Sequence, residues 1–77
     1  MTGGELMYRQ YMLYRDKLGL TDYQVAKKSN GKVLTSTLSE WKRHYETNGK
    51  DGYQPKIEKL SIIADILNVK LSDLLGE

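Results

Sequence analysis

The stretch LTSTLSEWKRH, Leu34 to His44, sets four hydroxyls and one carboxylate around two apolar positions, Leu38 and Trp41, and ends in Lys42, Arg43 and His44. On a helix, Leu38, Trp41 and Tyr45 fall on one side, by steps of three and then four. The other side is left to Thr35, Ser36, Thr37 and Ser39, which are too short to bury much apolar surface. Such a helix is anchored from behind and carries a shallow, hydrogen-bonding front with cations at its far end. What that front meets depends on the rest of the chain.

Seventy-seven residues make one domain, 1–77. A chain of this length buries only about 60% of its unfolded surface, so its core is small. It has no cysteine to form a disulfide, and its single histidine, His44, cannot build a zinc site. No metal or other cofactor is expected. No apolar run approaches the roughly 18 residues of a membrane span, and no charged-then-apolar leader is visible, so a soluble cytoplasmic protein is expected. Net charge is only +2, but it is unevenly spread. Met1 to Lys56 carries ten Lys/Arg against six Asp/Glu, or +4; Ile57 to Glu77 carries two against four, or −2. A positive body suits one side turned toward a polyanion; ordinary surface scatter is the alternative.

After a loose start over Met1 to Gly4, the residues Met7, Tyr8, Tyr11, Tyr14 and Leu18 recur at helical spacing, and Gly19 supplies a stop. Helix one is expected over Glu5 to Leu18. Thr21 with Gln24 forms a capping-box pattern for a short second helix that buries Val25 and Ala26. Ser29-Asn30-Gly31 breaks it, and Val33 with Leu34 is expected to plug the core. Thr35 or Ser36 caps helix three. The segment ETNGKDGYQ, with its Asn48-Gly49 and Asp51-Gly52 turn signals, is the one loop of real length. Pro55 opens helix four, with Ile57, Leu60, Ile63, Ala64 and Leu67 as its stripe. Asn68 ends it, and Val69, Leu71, Leu74 and Leu75 belong to a fifth helix capped near Ser72. The expected fold class is all-α, with five helices.

Helices two and three, over about 21–45, have the form of a helix-turn-helix, with Ala26 small enough for the close approach of the pair. The C-terminal helices cover about 55–75. Hydroxyls on the front of helix three can serve base edges or phosphate oxygens, and the methyls of Thr35 and Thr37 suit a thymine methyl. Arg43 can read guanine in bidentate fashion, while Glu40 can accept from a cytosine amino group. Candidate base or groove contacts are therefore Thr35, Ser36, Thr37, Ser39, Glu40 and Arg43. Candidate phosphate contacts are Thr21, Gln24, Lys32, Lys42, His44 and Lys50.

The order GLTDYQVAKK, then TSTLSEW, then PKIEKLSIIADILNVKLSDLL, resembles the Cro and lambda-repressor-type (XRE) family of helix-turn-helix proteins, over Tyr11 to Leu75. The tail is the most specific part: a proline, an apolar stripe with an Ala and a Leu, a small turn residue, then V-x-L-x-x-L-L. The resemblance implies a lambda-repressor-like DNA-binding domain of five helices, with helix three in the major groove and commonly a dimer on a palindrome. The chain departs from that pattern in four places. The turn SNGKVL is longer than the family's, and so is the loop before Pro55, which brings Lys50. Asp22 stands where the family often has a phosphate-contacting Gln. Lys42 stands where a Glu usually pairs with the Arg matched by Arg15, and Glu46 is expected to take that Glu's place.

Trp41 and Tyr45 lie near cations, but their spacing with Leu38 marks them as core and not as platforms for base stacking. Lys27 and Lys28 read as a solvated face, and His44 as a favourable charge at a helix end. Ile62 and Ile66, with Leu74 or Leu75, form either a dimer face or a wider core stripe. No Ser, His or acid spacing suggests a catalytic triad, so no enzyme is expected. The function expected is a sequence-specific regulator of transcription that binds double-stranded DNA, a repressor of phage or bacterial type acting as a homodimer without a small-molecule effector. The alternative is a protein-interaction module or antitoxin-like partner built on the same fold.

Overall fold

The computed structural model describes residues 3–76, with side chains over 6–76. Five helices follow one another: α1 (Gly3–Lys17), α2 (Asp22–Lys28), α3 (Thr35–Glu46), α4 (Ile57–Ile66) and α5 (Leu71–Leu75). There is no strand among the described residues. The start expected to be loose is already helical at Gly3, and its first two residues lie outside the described part. The radius of gyration, 11.2 Å, is close to the roughly 11.5 Å of a folded chain this long. Among the described residues no helix is long and apolar enough to cross a membrane.

The core forms where α1 and α3 meet. Tyr8, Tyr11, Leu38 and Trp41 are each at most 1% exposed. Trp41 packs edge-on to Tyr8, with centroids 5.1 Å apart and planes at 77°, and tilted on Tyr11 at 5.0 Å. Among the described residues the indole N–H has no hydrogen-bond partner, and the ring itself packs against two tyrosine rings. Leu60, Ile63 and Ala64 of α4 and Leu67 at its C-terminal cap add to this core, with Leu74 of α5 fully buried. Leu74 therefore offers no surface to a second chain, contrary to its place in a dimer face. Ile62, Ile66 and Leu75 are half-buried against the same core.

Local chemistry sets the helix ends, in several places differently from expectation. Leu18 is 50% exposed. The chain turns at Gly19 (φ +68°), the Leu20 N–H reaches back to the Arg15 carbonyl at 3.0 Å, and Leu20 packs on the core in place of Leu18. At α2, Thr21 and Gln24 form the expected capping box. The α3 cap is Leu34, not Thr35 or Ser36, and no side chain caps this end. The cause lies upstream: the buried Ser29 hydroxyl donates to the Ala26 carbonyl at 2.6 Å and accepts from the Val33 N–H at 2.9 Å, so the chain is fixed at Val33 and enters the helix directly after Leu34. Val33 fills the core, while Leu34 stays 57% exposed.

Pro55 does not open α4. Its ring is buried ahead of an extended Lys56 cap, and Ile57 begins the helix 56% exposed, beyond the edge of the core. Asn68 takes a left-handed turn (φ +62°) after α4, as a short polar side chain can. The α5 cap is Lys70, whose N–H donates to Asp73 Oδ2 at 3.1 Å, and not Ser72. Truncating the central aromatic tests how far the rest depends on it. Trp41→Ala should cost about 3–5 kcal/mol, enough to leave a domain this small largely unfolded, as read by urea denaturation.

Candidate nucleic-acid interface

With Leu38 and Trp41 buried, the 3.6-residue period turns Ser36, Ser39 and Arg43 outward in one row on α3. All three are exposed, as are Thr35 and Lys42 on one flank. Thr37, Glu40 and His44 form the other flank and are half-buried. Of the six candidate groove residues, then, four are open to solvent and two are partly withdrawn. Thr21, Gln24, Lys32 and Lys50 are exposed on α2, the α2–α3 turn and the long loop. The backbone of that turn is held from a distance, since Lys59 donates its ammonium to the Lys32 carbonyl.

The partly withdrawn flank is explained by the loop. Thr47 Oγ1 donates to the Arg43 carbonyl at 2.8 Å and accepts from the Asp51 N–H at 2.9 Å, folding the loop back. The Gly49 N–H reaches the His44 carbonyl at 2.8 Å and the Tyr53 N–H the Glu40 carbonyl at 3.3 Å. Gly52 sits so close to α3 that a Cβ would lie 2.2 Å from the Glu40 carbonyl oxygen, and its φ is +67°. Only glycine fits there. The loop thus lies against α3 on one side and leaves the Ser36–Ser39–Arg43 row uncovered. Tyr53 is 48% exposed beside it.

A charged cluster fixes α2 relative to α1. One carboxylate oxygen, Asp22 Oδ1, accepts from the Tyr11 hydroxyl at 2.6 Å and from Arg15 Nη1 at 2.8 Å. Arg15 also meets Asp16 at 3.0 Å. Glu46, the acid expected for Arg15, is exposed and forms no ion pair among the described residues. Asp22 wins because it sits in the first turn of α2, where the positive helix end also favours a carboxylate, and one reach from α1. Burial works against the Arg15 charge, but hydrogen bonds to Asp22 and Asp16 outweigh it and raise its affinity for the proton. Burial, then the Asp22 hydrogen bond, pushes the Tyr11 phenol well above its usual range. Burial first and Asp22 second push Tyr8 up to about 12.

Two residues of this geometry were not singled out by their type or spacing. Ser29 reads from sequence as one more turn residue, yet its hydroxyl sets where α3 starts. Gly52 reads as a turn glycine, and the contact with α3 that demands it is not local. Glu40 and Arg43 form an ion pair on α3, 2.9 Å apart. No family model, curated protein or solved structure matches the chain.

Asp22→Asn should cost about 1.5–3 kcal/mol, the worth of hydrogen bonds to a charged group, whereas Glu46→Gln should leave the urea midpoint where it was. Equal effects of the two would undo the assignment of Arg15 to Asp22. Gly52→Ala should cost about 1–3 kcal/mol and speed amide exchange at Tyr53. An unchanged exchange rate there would mean that the loop does not rest on α3.

Proposed function

We propose that this chain binds duplex DNA through α3, which lies in the major groove with its Ser36–Ser39–Arg43 row toward the base edges. The observation that carries the reading is the division of α3: Leu38 and Trp41 are wholly buried, while the opposite row is exposed, short in side chain and ends in a cation. Such a face suits the floor of a groove about 12 Å wide that admits a helix. Thr21, Gln24, Lys32, Lys42 and Lys50 stand around it as phosphate contacts, with His44 contributing from beneath the loop. On this reading the domain is of the lambda-repressor-like helix-turn-helix type, as the resemblance in sequence implies.

Two copies on a palindromic site would set their α3 helices about 34 Å apart, in successive major grooves on one face of the DNA. A dimer so placed covers a promoter and excludes polymerase, which makes the chain a repressor. Ile62, Ile66 and Leu75 pack against the core but keep part of their apolar surface, which is offered to that pairing. With a net charge of +2, non-specific affinity is modest and falls steeply with salt. The rival reading, a module that holds another protein, draws on the loop docked along α3. That loop closes one flank only, so the groove reading is favoured.

Selection of bound fragments from a random duplex library should enrich a palindromic consensus. Arg43→Ala should then weaken binding to the enriched site by about 1–3 kcal/mol, and Lys50→Ala should lower affinity nearly equally for all sequences. No enriched duplex at low salt would turn the assignment toward the protein-holding module.

A further inference from the structure

Glu40 is the member of the α3 front that fits least well against DNA, because a carboxylate there repels phosphate. Its surroundings suggest what it does. Glu40 Oε1 lies 2.9 Å from Arg43 Nη1, with the Glu40 side chain 28% exposed and that of Arg43 50%. Behind Glu40 the loop is closed, with the Tyr53 N–H on its carbonyl and Gly52 against its backbone. The carboxylate therefore stands on clamped backbone, while the guanidinium it holds is open to solvent in the outward row with Ser36 and Ser39. An exposed ion pair at this spacing adds little to folding. It bears instead on where the arginine points. A free arginine on this face has the phosphates within reach as well as the bases, and a phosphate contact carries no sequence information. An arginine paired with a carboxylate on its own helix is drawn away from the phosphates, and its remaining N–H donors match O6 and N7 of guanine.

We propose that Glu40 is a positioning residue for Arg43, so that the pair reads guanine as a unit and Glu40 itself touches no base. This rests on the DNA-binding reading above. It assigns the docked loop a part in specificity, because the loop fixes the backbone from which Glu40 holds the arginine.

The test takes the full chain, Glu40→Gln, Arg43→Ala and the double variant through the same duplex selection. It also measures the salt dependence of binding to selected and scrambled duplexes, with urea midpoints alongside. The unaltered chain should select guanine at one position, and Arg43→Ala should lose that preference by roughly 5- to 150-fold. Glu40→Gln should weaken the same preference at the same base pair while binding scrambled duplex more tightly. Its slope of log affinity against log salt should steepen by about one unit as the released Arg43 turns to a phosphate. In the Arg43→Ala background, Glu40→Gln should leave that base pair unaffected. The urea midpoint of Glu40→Gln should hold, because a merely structural role would lower it and blur every base position together.

Loss of preference at a different base pair would make Glu40 a direct reader and overturn the proposal. So would a guanine preference that survives Glu40→Gln while all duplexes bind more tightly, or one that survives Arg43→Ala. An unaltered chain with no preferred duplex would remove the DNA-binding reading itself, and this proposal with it.

Discussion

Trp41 is the joint on which the molecule depends. It is the one tryptophan of a chain with no cysteine, and it is wholly buried against Tyr8 and Tyr11 of α1. Aromatic pairs at these separations add stabilisation beyond the area they bury. A core this small needs such dense contacts, since its surface-to-volume ratio limits what aliphatic packing alone supplies. Because Trp41 and Leu38 come from the same side of α3, their burial also decides which side of α3 faces out. Stability and the display of the polar row are one constraint.

Around that joint, short polar devices set the helix positions. Ser29 fixes the turn into α3, the Arg15–Asp22–Tyr11 cluster ties α2 to α1, and Asp73 starts α5. Each places a charge or hydroxyl where backbone groups or a second charge already wait, so the cost of partial burial is offset. The long loop adds a contact of another kind. Its glycine lies where any side chain would collide with the Glu40 carbonyl, so the loop can approach α3 as close as backbone on backbone. The exposed row stays free because the loop settles on the flank with Glu40 and His44.

On the proposed reading, the small net charge divides labour between affinity and recognition. A strongly basic domain binds any duplex well and gains specificity against a high background. Here the surface is nearly balanced, and an acidic residue stands within the candidate groove face itself. Pairing Glu40 with Arg43 converts that acid from a repulsive element into one that limits what the arginine does. Selectivity then comes from fewer and better-placed donors.

Much of this was legible along the chain. Period fixed the helices, the backs of α3 and α4, and the burial of Trp41, because the apolar steps of three and four allow one consistent face. The Thr21–Gln24 cap and the Gly19 and Asn68 turns were legible for the same reason: they depend on neighbours within a few residues. Arg15 paired with Glu46, Leu34 in the core and Pro55 at the start of α4 are not what the structure has, and of the two places open to Leu74, a dimer face or a wider core stripe, it takes the buried one. Asp22 wins Arg15 only when α2 lies across α1; Leu34 is displaced by the clamp of Ser29 on Val33; Leu74 is covered once α5 closes on α1. The sequence by itself determined which helices form and which side of each is apolar, since those follow from local period and capping. The tertiary structure decided that Arg15 meets Asp22 and where the long loop lies, since both depend on how one element packs against another and not on the period within a single helix.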